Sequence, residues 1–135
     1  MITSARLLPL AAGLLLALSA CGKKANVKAS VSELEKAFPS AAAPAQAQPN
    51  APSPVAQAEA NALVKRALAA AQANDYAGGV IALQAAQQKP GMTADQVMAA
   101  QRATQAMIGE LQRRALNGDQ QALAQLKAIE KTRSQ

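Results

Sequence analysis

The chain contains almost no aromatic side chains, and this limits the kind of core that it can build. One phenylalanine, one tyrosine and no tryptophan occur in 135 residues, while alanine and glutamine are abundant. A core must therefore consist of aliphatic side chains and alanine, a composition that favours helices strongly and sheets hardly at all. A chain of this length has room for one small domain at most. We therefore predict an all-α fold.

Apolar periodicity and capping signals predict four helices in a domain at residues 55–133. Their boundaries are Ser53-Pro54 before the first, Asn74-Asp75 before the second, a Thr93/Gln96 capping box at the third, and Asn117-Gly118-Asp119 before the fourth. Side chains expected inside include Val55, Leu63, Val64, Val80, Leu83, Met107, Leu111, Ala122, Leu123, Leu126 and Ile129. Short turns make consecutive helices antiparallel, so the domain should form two stacked hairpins.

The second predicted helix carries two features that need an explanation. Gly78 and Gly79 near its start are unfavourable in a helix, and close approach of the first helix is a reason for a glycine there. Tyr76 is expected to pack with its hydroxyl at the rim of the domain, and contact with a ligand or partner is the alternative. The segment Asn74–Pro90, with Tyr76, Gly79, Leu83, Ala86 and Pro90, resembles the second helix of a tetratricopeptide repeat. This resemblance implies TPR-like hairpins.

The N-terminus has the order of charge, apolar run and small residues that is typical of an export signal. Arg6 precedes the apolar run Leu7–Leu18, which is too short for an ordinary membrane span. Leu18-Ser19-Ala20-Cys21 resembles the lipobox of bacterial lipoproteins. The resemblance implies that residues 1–20 are removed and that Cys21 carries a diacylglyceryl group and an N-acyl chain. Gly22 after the cysteine, by analogy with enteric bacteria, implies the outer membrane, facing the periplasm.

Three further segments are predicted between the cysteine and the helical domain. Residues 21–29 form a lipidated N-terminus and basic spacer, in which Lys23, Lys24 and Lys28 either contact anionic headgroups or are simply solvated. Residues 30–38 form a short amphipathic helix with the apolar stripe Val31, Leu34 and Phe38, and Ser30 with Glu33 as a capping box. This helix either docks on its own domain, stays disordered, or lies in a groove of a partner protein.

The segment at residues 39–54 is predicted to be a disordered linker. It contains five prolines and no large apolar side chain, so that it cannot form a helix or a core. As extended polyproline II it would reach up to about 50 Å. We therefore predict that it acts as a tether that holds the helical domain away from the bilayer.

Catalysis is not indicated by the residue types present. The chain has no histidine, and Asp75, Asp95 and Asp119 sit at predicted helix starts, where exposed amides explain a carboxylate. We predict no catalytic residue, no metal site and no cofactor apart from the covalent lipid. The net charge of +6 is scattered rather than clustered, so that nucleic acid is not an expected partner.

These observations lead to one expected function and two alternatives. We expect a non-catalytic envelope lipoprotein that binds an unidentified envelope protein through Val31, Leu34 and Phe38 or through the concave side near Tyr76. The first alternative is a structural lipoprotein that self-associates, because so small an aliphatic core is only marginally stable. The second is a carrier of small apolar ligands between the hairpins.

Overall fold

A computed structural model describes residues 26–39 and 54–134 of the chain. The predicted signal peptide, Cys21 and most of the predicted linker lie outside these residues. The described part is entirely helical, which confirms the all-α prediction. It contains five helices: α1 (Val27–Ala37), α2 (Pro54–Gln72), α3 (Tyr76–Gln87), α4 (Ala94–Leu116) and α5 (Gln120–Arg133).

Helices α2 to α5 begin and end close to the positions predicted from capping signals. The Thr93 side chain accepts a hydrogen bond from the Gln96 amide at 3.2 Å, and the Gln96 side chain accepts one from the Thr93 amide at 3.0 Å. This reciprocal pair is the predicted capping box, and it satisfies two amides that have no partner within the helix. Local hydrogen bonding therefore determines where α4 begins.

The turns that join α2 to α3 and α4 to α5 have the same construction. Each has three residues, with a left-handed residue in the middle, Asn74 (φ 59°) or Gly118 (φ 88°). Asp75 N donates to Ala70 O, and Asp119 N donates to Arg114 O, as in a Schellman motif. The aspartate then caps the next helix through its side chain. Each turn thus joins two helices that contact each other, and the two turns lie 44 residues apart in the chain.

Helix α1 is longer than the predicted helix at residues 30–38, and its cap is different. Its first residue is Val27, and the Asn26 side chain accepts a hydrogen bond from the Ala29 amide at 3.3 Å. The predicted Ser30/Glu33 capping box is wrong, because Ser30 lies within the helix and its own amide donates to the Asn26 carbonyl. Asn26 is also a favourable capping residue, and it lies far enough upstream to add a helical turn.

The helices pack around α3 and α4. Helix α3 contacts α2, α4 and α5, while α1 lies on α4 and touches α2. The largest fully buried side chains are Leu34, Leu83, Met107, Leu111, Val64 and Val80, and alanines fill most of the remaining core. The core is therefore mainly aliphatic and alanine-rich, as the composition predicts, but it also includes Leu34 of α1 and the aromatic Phe38 that follows α1.

Gly79 lies where three helices meet. A Cβ atom at this position would be 2.8 Å from Met107 Sδ on α4 and 3.5 Å from the Ala67 carbonyl oxygen on α2. Helix α2, the first helix of the predicted domain, is therefore close to Gly79, as predicted. The closer contact, however, is with Met107 on α4. A side chain at position 79 would have to displace a fully buried methionine.

Two side chains predicted to lie inside are exposed instead. Val55 is 67% exposed because the start of α2 extends past the end of the shorter α3. Glu59, one turn after Val55, pairs with Lys89, which already lies beyond the last residue of α3. Leu123 is 37% exposed because α5 packs on α3 and α4 through Ala122 and Ile129, leaving the neighbouring positions at the solvent. Both predictions of burial were wrong because periodicity does not show which helix lies beside a given side chain.

Candidate functional site

The apolar stripe of α1 is covered by the rest of the domain. Leu34 is fully buried, Phe38 is nearly so, and Val31 is partly buried against the same core. While α1 lies on α4, Leu34 and Phe38 are inaccessible to another protein. Of the arrangements considered from the sequence, the structure has the one in which this helix docks on its own domain.

Two polar contacts show that α1 runs antiparallel to α4. Gln96 Nε2 donates to the carbonyl oxygen of Ala37 at 3.2 Å, and Arg102 pairs with Glu33 at 3.4 Å. Gln96 thus caps its own helix with its side-chain oxygen and binds the end of α1 with its side-chain nitrogen. Sequence reasoning identified only the first role, because the second depends on a residue 59 positions away.

A cavity of about 260 Å³ lies between the end of α1 and the middle of α2. Phe38, Val64 and Leu68 contribute apolar side chains to it, and Glu35 and Lys65 contribute charged ones. Drug-sized ligands usually occupy pockets of roughly 300–1,000 Å³. The cavity is therefore small for a lipid or a comparable apolar ligand.

Tyr76 lies at the rim of the domain, at the turn between α2 and α3. Its ring packs partly against the core, and its hydroxyl donates to Asn74 Oδ1 at 3.1 Å. Gln125 of α5 joins the same turn, because its side chain accepts from the Ala77 amide at 3.1 Å and donates to the Asn74 carbonyl at 3.4 Å. Sequence reasoning missed Gln125, since a glutamine on a helix surface carries no signal of a distant backbone partner.

Two ion pairs organise the end of α4. The Arg113 guanidinium donates to Glu110 at 2.9 Å, and this hydrogen bond lowers the pKa of Glu110 and raises that of Arg113. Asp119 accepts from the amides of Gln121 and Ala122 and from the Arg114 guanidinium at 2.8 Å. The pKa of Asp119 is lowered, first by the Ala122 amide and then by Arg114. This carboxylate joins the end of α4 to the start of α5.

The lowered pKa of Asp119 predicts a loss of stability in acid. A carboxylate whose pKa is lower in the folded state stabilises that state above its ordinary value of 3.8 and ceases to do so as the pH falls through the folded value. We expect the urea midpoint of the protein to fall between about pH 5 and about pH 3, and to fall less in Asp119→Asn. Asparagine can still cap α5 but has no charge to lose. Identical pH profiles for the two proteins would contradict the prediction.

Within residues 26–39 and 54–134, no cluster of acidic, cysteine or histidine side chains could hold a metal ion. In the same residues, no helix is long and apolar enough to cross a membrane. Cys21 lies outside the described residues, six positions before the first residue of α1. The surface features of the described part are the rim at Tyr76, the cavity beside Phe38, and exposed apolar side chains on α2, α4 and α5.

Comparison with known proteins gives no match: no family model, no curated protein and no solved structure is significantly similar to this chain.

Proposed function

We propose that the protein is a non-catalytic bacterial envelope lipoprotein, anchored at Cys21 and facing the periplasm, whose helical domain binds another envelope protein. The observation that carries the proposal is the order of Arg6, the apolar run Leu7–Leu18, two small residues and the only cysteine of the chain. The thiol supplies the nucleophile that lipid attachment requires. More than one acyl chain gives stable anchoring, whereas a single chain holds only marginally.

In this proposal the binding domain consists of two TPR-like hairpins, α2–α3 and α4–α5. Support comes from the similar turns at Asn74-Asp75 and Gly118-Asp119 and from the contact of α3 with both α4 and α5. Stacked helical hairpins expose extended surfaces that bind other proteins. The spacing of 44 residues differs from the 34 of the family, so the resemblance concerns the hairpin rather than the repeat.

The rim at Tyr76 is the preferred binding surface of this proposal. Val31, Leu34 and Phe38 would reach a partner only if α1 left α4, whereas Tyr76 and Asn74 lie at the surface with α1 in place. Beside them a shallow cavity of about 380 Å³ is lined by residues of the turn and of α5. A partner segment placed there would contact the polar side chains of Gln121 and Gln125.

The experiment that tests the anchor is fractionation of bacteria that express the full chain, with Cys21→Ala as the variant. We expect the wild-type protein in the membrane fraction with lipid attached and the variant without attached lipid, because the variant has no thiol to receive it. Cys21→Ser is a closer structural control and should behave like Cys21→Ala. Equal mass of attached lipid in all three proteins, or none in the wild-type protein, would overturn the lipoprotein proposal.

Binding is tested by photo-cross-linking in the same cells. A cross-linking amino acid at Tyr76 should join the protein to one envelope protein, and the same group at Lys131, which is exposed on α5, serves as the control. The Cys21→Ala variant should lose the Tyr76 product. If both positions give only self-cross-links, the binding proposal fails.

Self-association is the second candidate, and the exposed side chains Val55, Met98, Leu116 and Leu123 favour it. Exposed apolar side chains indicate an interface where they form a contiguous patch, so this candidate requires some of the four to lie together. Sedimentation of the Cys21→Ala protein separates the two functions. A monomer at micromolar concentration would contradict a self-associating structural role.

A further inference from the structure

The contact between α1 and α4 has the residue spacing of a two-stranded coiled coil. The side chains of α1 that pack on the core recur at alternating steps of four and three residues: Val27, Val31, Leu34 and Phe38. On α4 the same steps separate Gln96 and three alanines that are at most 6% exposed: Ala99, Ala103 and Ala106. We call these four residues, together with Arg102 beside them, the α1-binding face. Large side chains of one helix thus pack on small ones of the other.

The polar residues of the α1-binding face favour one direction and one charge in the helix that lies on it. Gln96 Nε2 donates to the carbonyl oxygen of Ala37, one of the last carbonyls of α1, which have no partner within the helix. Arg102 pairs with Glu33 one turn earlier in α1. The face therefore fits a helix that runs antiparallel to α4, ends beside Gln96 and carries an acidic residue opposite Arg102.

Helices α2 to α5 are held together by contacts that do not involve α1. Helix α3 contacts α2, α4 and α5 directly, and α2 to α4 contribute most of the largest fully buried side chains: Val64, Val80, Leu83, Met107 and Leu111. Helix α1 packs mainly on α4, and its ion pair there joins two side chains that are each more than half exposed, so that the pair contributes little. The departure of α1 would therefore leave the contacts among the other four helices in place.

The chain between α1 and α2 is long enough for α1 to move away from α4. Phe38 lines the same cavity as Val64 of α2, and Val64 lies ten residues, about 15 Å, beyond the first residue of α2. Residues 40–53 complete the connection, and a chain of that length extends to about 50 Å. The connection is thus much longer than the docked position of α1 requires, so that α1 can leave α4 and remain attached to the domain.

We propose that the α1-binding face is a helix-binding site that α1 covers in the resting protein, and that an amphipathic helix of the partner protein takes its place. The inference rests on the proposed protein-binding function. The helix that fits has large apolar side chains at steps of four and three residues, an acidic residue opposite Arg102 and its last turn beside Gln96. A tethered α1 competes at an effective concentration of about millimolar, so that only a helix that binds more strongly displaces it.

The experiment measures, by fluorescence anisotropy, the binding of a labelled peptide of residues 26–39 to the full-length Cys21→Ala protein. The peptide has the side chains of α1 and stands for the helix of a partner. Leu34→Asp in the protein places a charge at a fully buried position and so releases α1 from α4. Ser32→Asp is the matched control, because it adds the same charge at an exposed position of the same helix. Far-UV circular dichroism measures the helicity of each protein with and without the peptide.

We expect the peptide to bind the Leu34→Asp protein at least tenfold more tightly than the Ser32→Asp protein or the protein with neither change. In the latter two α1 covers the site, and the apparent affinity falls with the fraction of molecules in which the site is open. Adding Arg102→Glu to the Leu34→Asp protein should weaken binding, and a peptide with Glu33→Arg should restore it. If neither charge change alters binding, the proposed orientation of the helix on α4 is wrong.

Three results would overturn the inference. The first is equal binding of the peptide to all the proteins, and the second is binding to none of them. The third is a loss of helicity in the Leu34→Asp protein that the peptide does not restore, because α1 would then be an indispensable part of the core. Failure of the cross-link at Tyr76 is a different result, and it overturns the protein-binding function itself.

Discussion

Replacing Leu34 with alanine is expected to lower the free energy of unfolding by about 2–5 kcal/mol. Leu34 is fully buried, so the substitution removes apolar contacts and leaves a cavity between α1 and α4. A small domain has a total stability of roughly 5–15 kcal/mol, so this loss is a large part of it. Urea denaturation followed by far-UV circular dichroism measures the change.

The matched control for this prediction is Leu116→Ala. The same chemical change at a side chain that is 89% exposed should alter the free energy of unfolding by less than about 0.5 kcal/mol. A loss at Leu34 but not at Leu116 shows that α1 unfolds together with the other helices. If neither substitution changes the urea midpoint, α1 is not part of the cooperative unit.

Replacing Gly79 with valine is expected to destabilise the domain by about 1–3 kcal/mol through overpacking. The new Cβ would lie 2.8 Å from Met107 Sδ, and the branched methyl groups would press on the Ala67 carbonyl as well. Glycine is a poor helix former, so valine is not disfavoured by helix propensity alone. A loss of stability would therefore report the contact between α3 and α4, and thermal unfolding measures it.

A double-mutant cycle with Met107→Ala gives this prediction its control. Met107→Ala alone should cost about 2–5 kcal/mol, because the fully buried side chain leaves a cavity. In the double variant the valine occupies part of that cavity, so the combined loss should be smaller than the sum of the two single losses. Strictly additive losses would show that positions 79 and 107 do not restrict each other.

The boundaries of α2 to α5 could be predicted because local residues determine them. The Thr93/Gln96 capping box, the left-handed Asn74 and Gly118, and the capping aspartates Asp75 and Asp119 each act within a few residues of themselves. Hydrogen bonds over such short separations depend little on the rest of the fold. Because capping is local, a second capping residue nearby can also move a helix start. Asn26 caps α1 in place of the predicted Ser30, so the predicted start of α1 was wrong.

The candidate site could be predicted only in part. The stripe Val31, Leu34 and Phe38 was correctly recognised as one apolar face, and the structure shows that α4 of the same chain covers it. Periodicity indicates that a helix needs an apolar neighbour but contains no information about which neighbour it has. For the same reason, the sequence did not predict that Gln125 bonds to the Ala77 amide or that Leu116 is exposed.

The sequence by itself determined the helical class, the alanine-rich core and the ends of four helices. Composition and short-range capping suffice for these features, because each is decided by contacts between residues near in the chain. Only the tertiary structure decided that α1 belongs to the domain, that Met107 restricts Gly79, and that Leu116 is exposed at the end of α4. These depend on which helix faces lie together, and that follows from packing all five helices around one core.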